Sequence, residues 1–198
     1  MTPALNYSQT QTHNPMERIK PKWIESALKT QRESGSSQKW LPTPAPKPMP
    51  LTQRVSETRK QYGDSQAFLK QLNPDTQTLA VRHPERAYMG TAPTLAVVRA
   101  AYTEEVAELW LMAQVENMND FCGVSRKMTL PQMQELARMM LAEVPYLKTS
   151  ELLLFFHRFK AGHYGEFFGV VDPQRVLSGL QSFLRDRRSE LDRYQREE

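Results

Sequence analysis

The chain is poor in the residues that would fix its chemistry at a glance. Of its 198 residues only one is cysteine, Cys122, so no disulfide can form within the chain, and a reducing, cytoplasmic setting is expected. Histidine is scarce as well, at four residues. His13 and His83 fall in stretches read below as arm and connection, and His157 and His163 have no neighbouring cysteine; a zinc site needs about four convergent ligands, or three with a water. No metal, cofactor or catalytic residue is therefore expected. Long apolar runs are also missing. The longest strongly apolar one, Leu152 to Phe156, is far short of a bilayer span, and the opening Met-Thr-Pro-Ala-Leu-Asn-Tyr lacks the basic stretch and apolar run of a secretory signal. No membrane association is expected. No glycine-rich stretch ends in Lys-Ser or Lys-Thr, which sets aside the phosphate-binding loop of nucleotide-hydrolysing motors.

Apolar residues make up 39% and the mean hydropathy is −0.61, lean for a chain of this length if all of it folds. The economical reading is that part is disordered and the rest has ordinary core content. Charge supports this division. Residues 1–91 carry 13 Lys/Arg against 7 Asp/Glu, and residues 92–198 carry 13 against 15. A basic front half suits nucleic acid, an anionic surface or an acidic protein, and equally a solvated arm without a partner.

Three regions follow. Residues 1–50 are expected to be a disordered, basic, proline-rich arm. Pro42, Pro44, Pro46, Pro48 and Pro50 recur at every second position, which makes an extended, semi-rigid spacer. Before it, Trp23, Ile24, Ala27 and Leu28 fall at helical spacing after Pro21. So short a helix is marginal alone, but could fold on a partner with Trp23 as the anchor; the alternative is a disordered stretch that happens to contain tryptophan. Residues 51–91 read as a polar helix and a linker. Val55, Phe68 and Leu69 promise weak packing, Pro74, Pro84 and Gly90 mark connection, and Thr78–Val81 could be a short strand.

Residues 92–198 read as a helical domain. Leu95, Val98 and Tyr102 suit a short helix. Thr103 caps the next, with Glu104 and Glu105 in its first turn; Val106, Leu109, Trp110, Ala113, Met118 and Phe121 keep the period until Gly123, and the two stretches could form one kinked helix. Thr129-Leu130-Pro131-Gln132 is a capping box with proline in the first turn, opening a helix whose apolar face includes Leu130, Met133 and Leu136 and which Pro145 stops. Ser150 is expected to cap a helix over Glu151 to Lys160 that is apolar on nearly all sides and therefore central. Asp172-Pro173 starts the last helix, whose charged end beyond Asp186 is expected to project into solvent, pairing charges along its surface. The fold class is mainly α: a small bundle of about four helices with a glycine and aromatic turn, preceded by the basic arm.

That turn, Phe155 to Pro173, holds three of the chain's eight glycines, Gly162, Gly165 and Gly169, among Phe155, Phe156, Phe159, Tyr164, Phe167 and Phe168. Glycine opens backbone angles closed to other residues, so a tight turn or small hairpin packed onto the domain is expected. Basic and aromatic residues alternate here. In single-strand binders, aromatic faces stack bases while cations meet phosphates, which makes Arg158, Lys160, His163, Tyr164, Gly165 and Phe167 the candidate nucleic-acid or partner-binding residues. The bland alternative is phenylalanine core with a solvated basic rim.

The pattern Phe155-Phe156-x-x-Phe159-Lys160-x-Gly162-x-Tyr164-Gly165-x-Phe167-Phe168-Gly169-x-x-Asp172-Pro173 resembles a motif of small proteins found in Bacteroidetes genomes, their phages and their mobile elements. The resemblance spans roughly residues 128–185. It implies a bacterial mobile-element setting and a replication-accessory role with DNA or a replication protein as partner; it carries over no catalytic residue. Two functions are therefore expected from different classes: a nucleic-acid-associated accessory or adapter protein, or a non-catalytic protein–protein interaction module without nucleic-acid affinity.

Overall fold

The computed structural model describes residues 49–197. The arm expected over residues 1–50, with its Trp23 anchor and proline spacer, lies outside these residues except for Met49 and Pro50. The described residues are mainly helical. Nine α-helices follow in order: α1 Leu51–Tyr62, α2 Ser65–Gln71, α3 Gln77–Arg82, α4 Pro84–Met89, α5 Leu95–Ala101, α6 Glu104–Phe121, α7 Leu130–Glu143, α8 Thr149–Lys160 and α9 Pro173–Glu197, with one 3-10 turn at Pro74–Thr76. There are more helices than the four expected, and no strand among the described residues.

Local signals placed the helices after Thr94. The Thr103 hydroxyl accepts the Val106 N–H at 3.3 Å and starts α6. Gln132 Oε1 accepts the Thr129 N–H at 2.9 Å and closes the box at the head of α7. Asp172 Oδ1 accepts the Gln174 N–H at 2.9 Å ahead of α9. Each satisfies a backbone donor that the first helical turn leaves without an intrahelical partner. The stretches before and after Tyr102 are two helices rather than one kinked helix. At α8 the start differs from expectation. The helix begins at Thr149, Glu151 Oε2 accepts the Lys148 N–H at 2.8 Å, and Ser150, already inside the first turn, donates to the Ala87 carbonyl at 2.7 Å.

Helix α8 is the hub. It packs against α3, α4, α6 and α9, and Leu152, Leu153, Leu154, Phe155, Phe156 and Phe159 are all buried. A helix apolar around its circumference can be stable in water only when neighbours surround it. Phe155 sits at the middle of a ring cluster, with centroids 5.1 Å from Phe156, 5.8 Å from Phe159, 5.9 Å from Tyr164 and 5.5 Å from Phe183.

Residues 51–91 depart from the expected weakly packed helix and linker. They form α1 to α4 and join the same core: Tyr62, Phe68, Ala80, Ala87 and Tyr88 are buried. Phe68 is enclosed by Tyr62, Tyr102 and Trp110, at centroid distances of 5.7, 5.1 and 6.5 Å. The Trp110 indole donates to the Leu72 carbonyl at 2.7 Å, satisfying a backbone acceptor that a turn leaves open. The strand considered over Thr78–Val81 is instead part of α3; Ala80 is the residue it turns into the core, and the preceding Asn73 side chain accepts the Asp75 N–H at 3.0 Å and starts the helical turn.

The far half of α9 is a second correction. Its charges do not simply project into solvent. Arg187 meets Glu151 at 2.8 Å, Glu190 lies 3.8 Å from Arg158, and the Tyr194 ring packs 6.1 Å from Tyr88. The charged run lies along the domain because α4 and α8 present an aromatic ring, a buried carboxylate and a guanidinium along its path.

Candidate functional site

The glycine and aromatic segment lies where α6 ends, α8 ends and α9 begins. Gly162, Gly165 and Gly169 have φ of 83°, 101° and 75°, the left-handed region that side-chain-bearing residues rarely occupy. The first two close a turn off α8: the Gly162 N–H donates to the Phe159 carbonyl at 2.9 Å and the Gly165 N–H to the Gly162 carbonyl at 3.2 Å. The segment then runs beside residues after α6 rather than folding on itself as a hairpin. Arg126 N–H donates to the Gly169 carbonyl at 3.4 Å, and Val171 N–H to the Arg126 carbonyl at 2.9 Å. This one-residue parallel bridge between Arg126 and Val170 ties the two segments into one surface.

The six residues singled out in the sequence divide between interior and surface. Arg158 is turned inward. Its guanidinium donates to the Tyr88 hydroxyl at 3.1 Å and lies 3.8 Å from Glu190. Tyr164 is a wedge between Phe155 and Phe183. Burial holds its hydroxyl above the usual tyrosine range, against the pull of Arg158, and that oxygen makes no hydrogen bond of ordinary geometry. Phe167 packs on Phe159 at 5.4 Å. Gly165 is held beneath the Arg175 guanidinium, where a Cβ would lie 1.8 Å from Nη2. His163 is exposed.

Lys160 stands at the junction of α6 and α8. Its ammonium donates to Asn117 Oδ1 at 2.7 Å and lies 5.4 Å from the Phe121 ring centroid. Burial lowers its pKa from the ordinary lysine value, and Asp75 works in the opposite direction. Lys127 is spent differently: it donates to the carbonyls of Asn119, at 2.7 Å, and of Asp120 and Cys122, at the end of α6, where a cation complements the helix dipole.

Two residues outside the sequence selection dominate the surface. Phe168 is 82% exposed and Phe121 is 63% exposed. Phe121 was expected on the packing face of α6, but that face is carried by Ala107, Trp110, Leu111, Gln114, Val115 and Met118. Phe168 could have been found from its neighbours. Phe167 and Phe168 are adjacent in non-helical chain, where successive side chains diverge, so only one of them can pack on Phe159. The candidate face is therefore Phe121 with Lys160 beside it, Phe168 next to Gly169, whose carbonyl accepts the Arg126 N–H, and exposed His163 with Arg175 over Gly165. Two large aromatic rings in water, 82% and 63% exposed, form an arrangement that internal packing does not require.

Among the described residues, no three His, Cys, Asp or Glu side chains come together as metal ligands, and no helix is long and apolar enough to cross a membrane. No curated protein and no solved structure matches the chain. Residues 127–198, which take in α7, α8, the glycine and aromatic segment and α9, match DUF6633, a family of unknown function.

Proposed function

We propose that this chain is a nucleic-acid-associated accessory or adapter protein, with the face around Phe168 as the surface that meets a single strand. The observation that carries the reading is the 82% exposure of Phe168 on a loop whose backbone is set by three left-handed glycines. An aromatic ring presented in this way is available to stack a base, worth about 1–3 kcal/mol per base in single-strand binders. Arg126, bonded to the adjoining Gly169, and Arg175, over Gly165, supply positive charge on the same segment. The similarity of this segment to proteins of Bacteroidetes phages and mobile elements gives the reading its setting, replication of such an element, and its partners, DNA or a replication protein. Delivery or regulation of that protein is the adapter role; no catalytic step is assigned.

Fluorescence polarisation with single- and double-stranded DNA at two salt concentrations tests it. Engagement of about three or four phosphates gives a log–log salt slope of about −2 to −3 for a single strand. Tighter binding to the single strand is expected, and absence of binding at low salt removes the proposal.

One observation favours a protein–protein module instead. Residues 92–198, which carry the candidate face, hold 13 Lys/Arg against 15 Asp/Glu, so this part of the helical region has no excess of positive charge, and Leu130, close in sequence to Arg126, is 62% exposed. In that version the segment around Trp23 docks into a groove on the partner. Pull-down with and without residues 1–50 decides it: loss of a partner on deletion supports the module, and an unchanged set of partners sinks it.

A further inference from the structure

Beside the aromatic face lies a cleft of about 350 Å³ between the 3-10 turn, α3, α6 and α8, bordered by Asp75, Gln77, Asn117, Phe121, His157 and Lys160. This is within the usual size of small-molecule sites, which combine apolar walls with a few placed polar groups. Phe121 and Lys160 belong to both the cleft and the face.

The polarity of the cleft floor follows from a chain of hydrogen bonds. The Leu72 carbonyl can only accept, so Gln114 must present Nε2 to it, at 3.3 Å. That leaves Gln114 Oε1 toward Gln77, so Gln77 must present Nε2, which donates at 2.8 Å. The orientation of Gln77 is thereby fixed with its Oε1 left over. Gln77 is 1% exposed, and that oxygen has no partner among the described residues. A second orphan is nearby: His157 Nδ1 is also buried without a partner. Burial, with Lys160 and His163 adding repulsion, holds this imidazole below the ordinary histidine pKa, so at neutral pH it offers one donor and one acceptor nitrogen. Buried polar atoms are almost always paired; two residues that border this one cleft each keep such an atom unpaired and closed to water, and a ligand seated there is the partner that would pair them.

We infer that this cleft receives one unstacked nucleobase, its face against Phe121 and its polar edge toward Gln77, Asn117 and His157. A nucleobase has the required combination: a flat π surface, a ring N–H or amino group for the Gln77 acceptor, and carbonyl or ring-nitrogen acceptors for Lys160 and Asn117 donors. The base could arrive as part of a strand crossing the face, which rests on the function proposed above, or as a free mononucleotide, which does not.

The test uses the full chain, with the histidine ring signals observed by NMR and His157 assigned through His157→Gln. The probes are the four deoxynucleoside monophosphates, deoxyribose 5-phosphate and a fluorescein-labelled single-stranded oligonucleotide whose binding is read in parallel by anisotropy. At least one mononucleotide is expected to shift the His157 signals while the sugar phosphate does not. Phe121→Ala, on an exposed ring whose removal leaves the core intact, is expected to weaken that response about tenfold, the size of a lost base–aromatic stack. A His157 response to the oligonucleotide assigns the base to a strand. A response to mononucleotides alone, with no anisotropy change, keeps the cleft and removes the strand-docking function. Oligonucleotide binding with His157 silent to every probe, or an equal response to the sugar phosphate, overturns the cleft assignment and leaves strand docking standing.

Discussion

Arg187 Nε closes on Glu151 Oε1 at 2.8 Å, joining the far half of α9 to the first turn of α8, where the carboxylate is completely buried. The same carboxylate, through its other oxygen, accepts the Lys148 N–H. Removing one partner of a buried ion pair strands the other charge. Arg187→Ala is therefore expected to destabilise the protein by about 3 kcal/mol, toward the low end of what buried pairs show because the guanidinium keeps some contact with water. Arg193→Ala, at an exposed pair with Glu190, is expected to change stability by no more than about 0.5 kcal/mol. Urea unfolding of both variants checks the contrast.

Gly179 makes a different demand. It lies within α9, where alanine would ordinarily stabilise the helix by up to about 1 kcal/mol. Here a Cβ would stand 2.4 Å from Phe159 Cε2 and 3.2 Å from Tyr164 Cβ. Both neighbours are held in the ring cluster around Phe155, so neither yields cheaply. Gly179→Ala is expected to cost about 1–3 kcal/mol net, as overpacking does, and to lower the melting temperature. An unchanged or raised melting temperature would show that α9 does not press on α8 at this point.

The His157 imidazole gives a pH dependence with a definite sign. Its folded pKa lies below the ordinary histidine value of 6.5, mainly through burial and further through Lys160 and His163. Between those two values the unfolded chain binds more protons than the folded one, so stability rises with pH there. The contribution of His157 is present above the unfolded value, falls as pH drops below it, and stops changing below the folded value. His157→Asn is expected to flatten this part of the stability profile, and chemical unfolding of both proteins between about pH 7 and pH 5, the range in which histidine titrates, measures the difference.

What the sequence disclosed was local. Thr103, the Thr129–Gln132 box and Asp172-Pro173 mark helix starts with side chains that bond backbone a few residues away, and the all-round apolarity of Leu152 to Phe159 marks the centre. What it concealed depends on partners distant in the chain. Phe68 and Tyr88 lie in short stretches that are polar overall, and rings distant in the chain, Trp110 and Tyr102 for the first and Phe183 and Tyr194 for the second, turn their surroundings into core. The face of α6 was misread because two polar residues, Gln114 and Asn119, are buried there. The first serves the Leu72 carbonyl, and the second accepts the Met128 N–H at 2.8 Å; the exposed Leu109 and Phe121 are the apolar residues that periodicity placed inside. At the candidate site the glycines announced the turn, and the adjacency of Phe167 and Phe168 signalled that one of the two faces water, but nothing local marked Arg158 and Tyr164 as serving the interior.

Phe168 is present for binding rather than for packing in the function proposed above, and affinity measured together with stability separates the two. For Phe168→Ala, the account predicts a melting temperature equal to that of the unaltered protein and single-stranded DNA affinity reduced about fivefold to a hundredfold, the range for loss of one stacked base. Phe155→Ala, in the ring cluster, should instead cost about 3–5 kcal/mol of stability. Undiminished affinity in folded Phe168→Ala, or a melting temperature that falls as it does for Phe155→Ala, would contradict the assignment of this face.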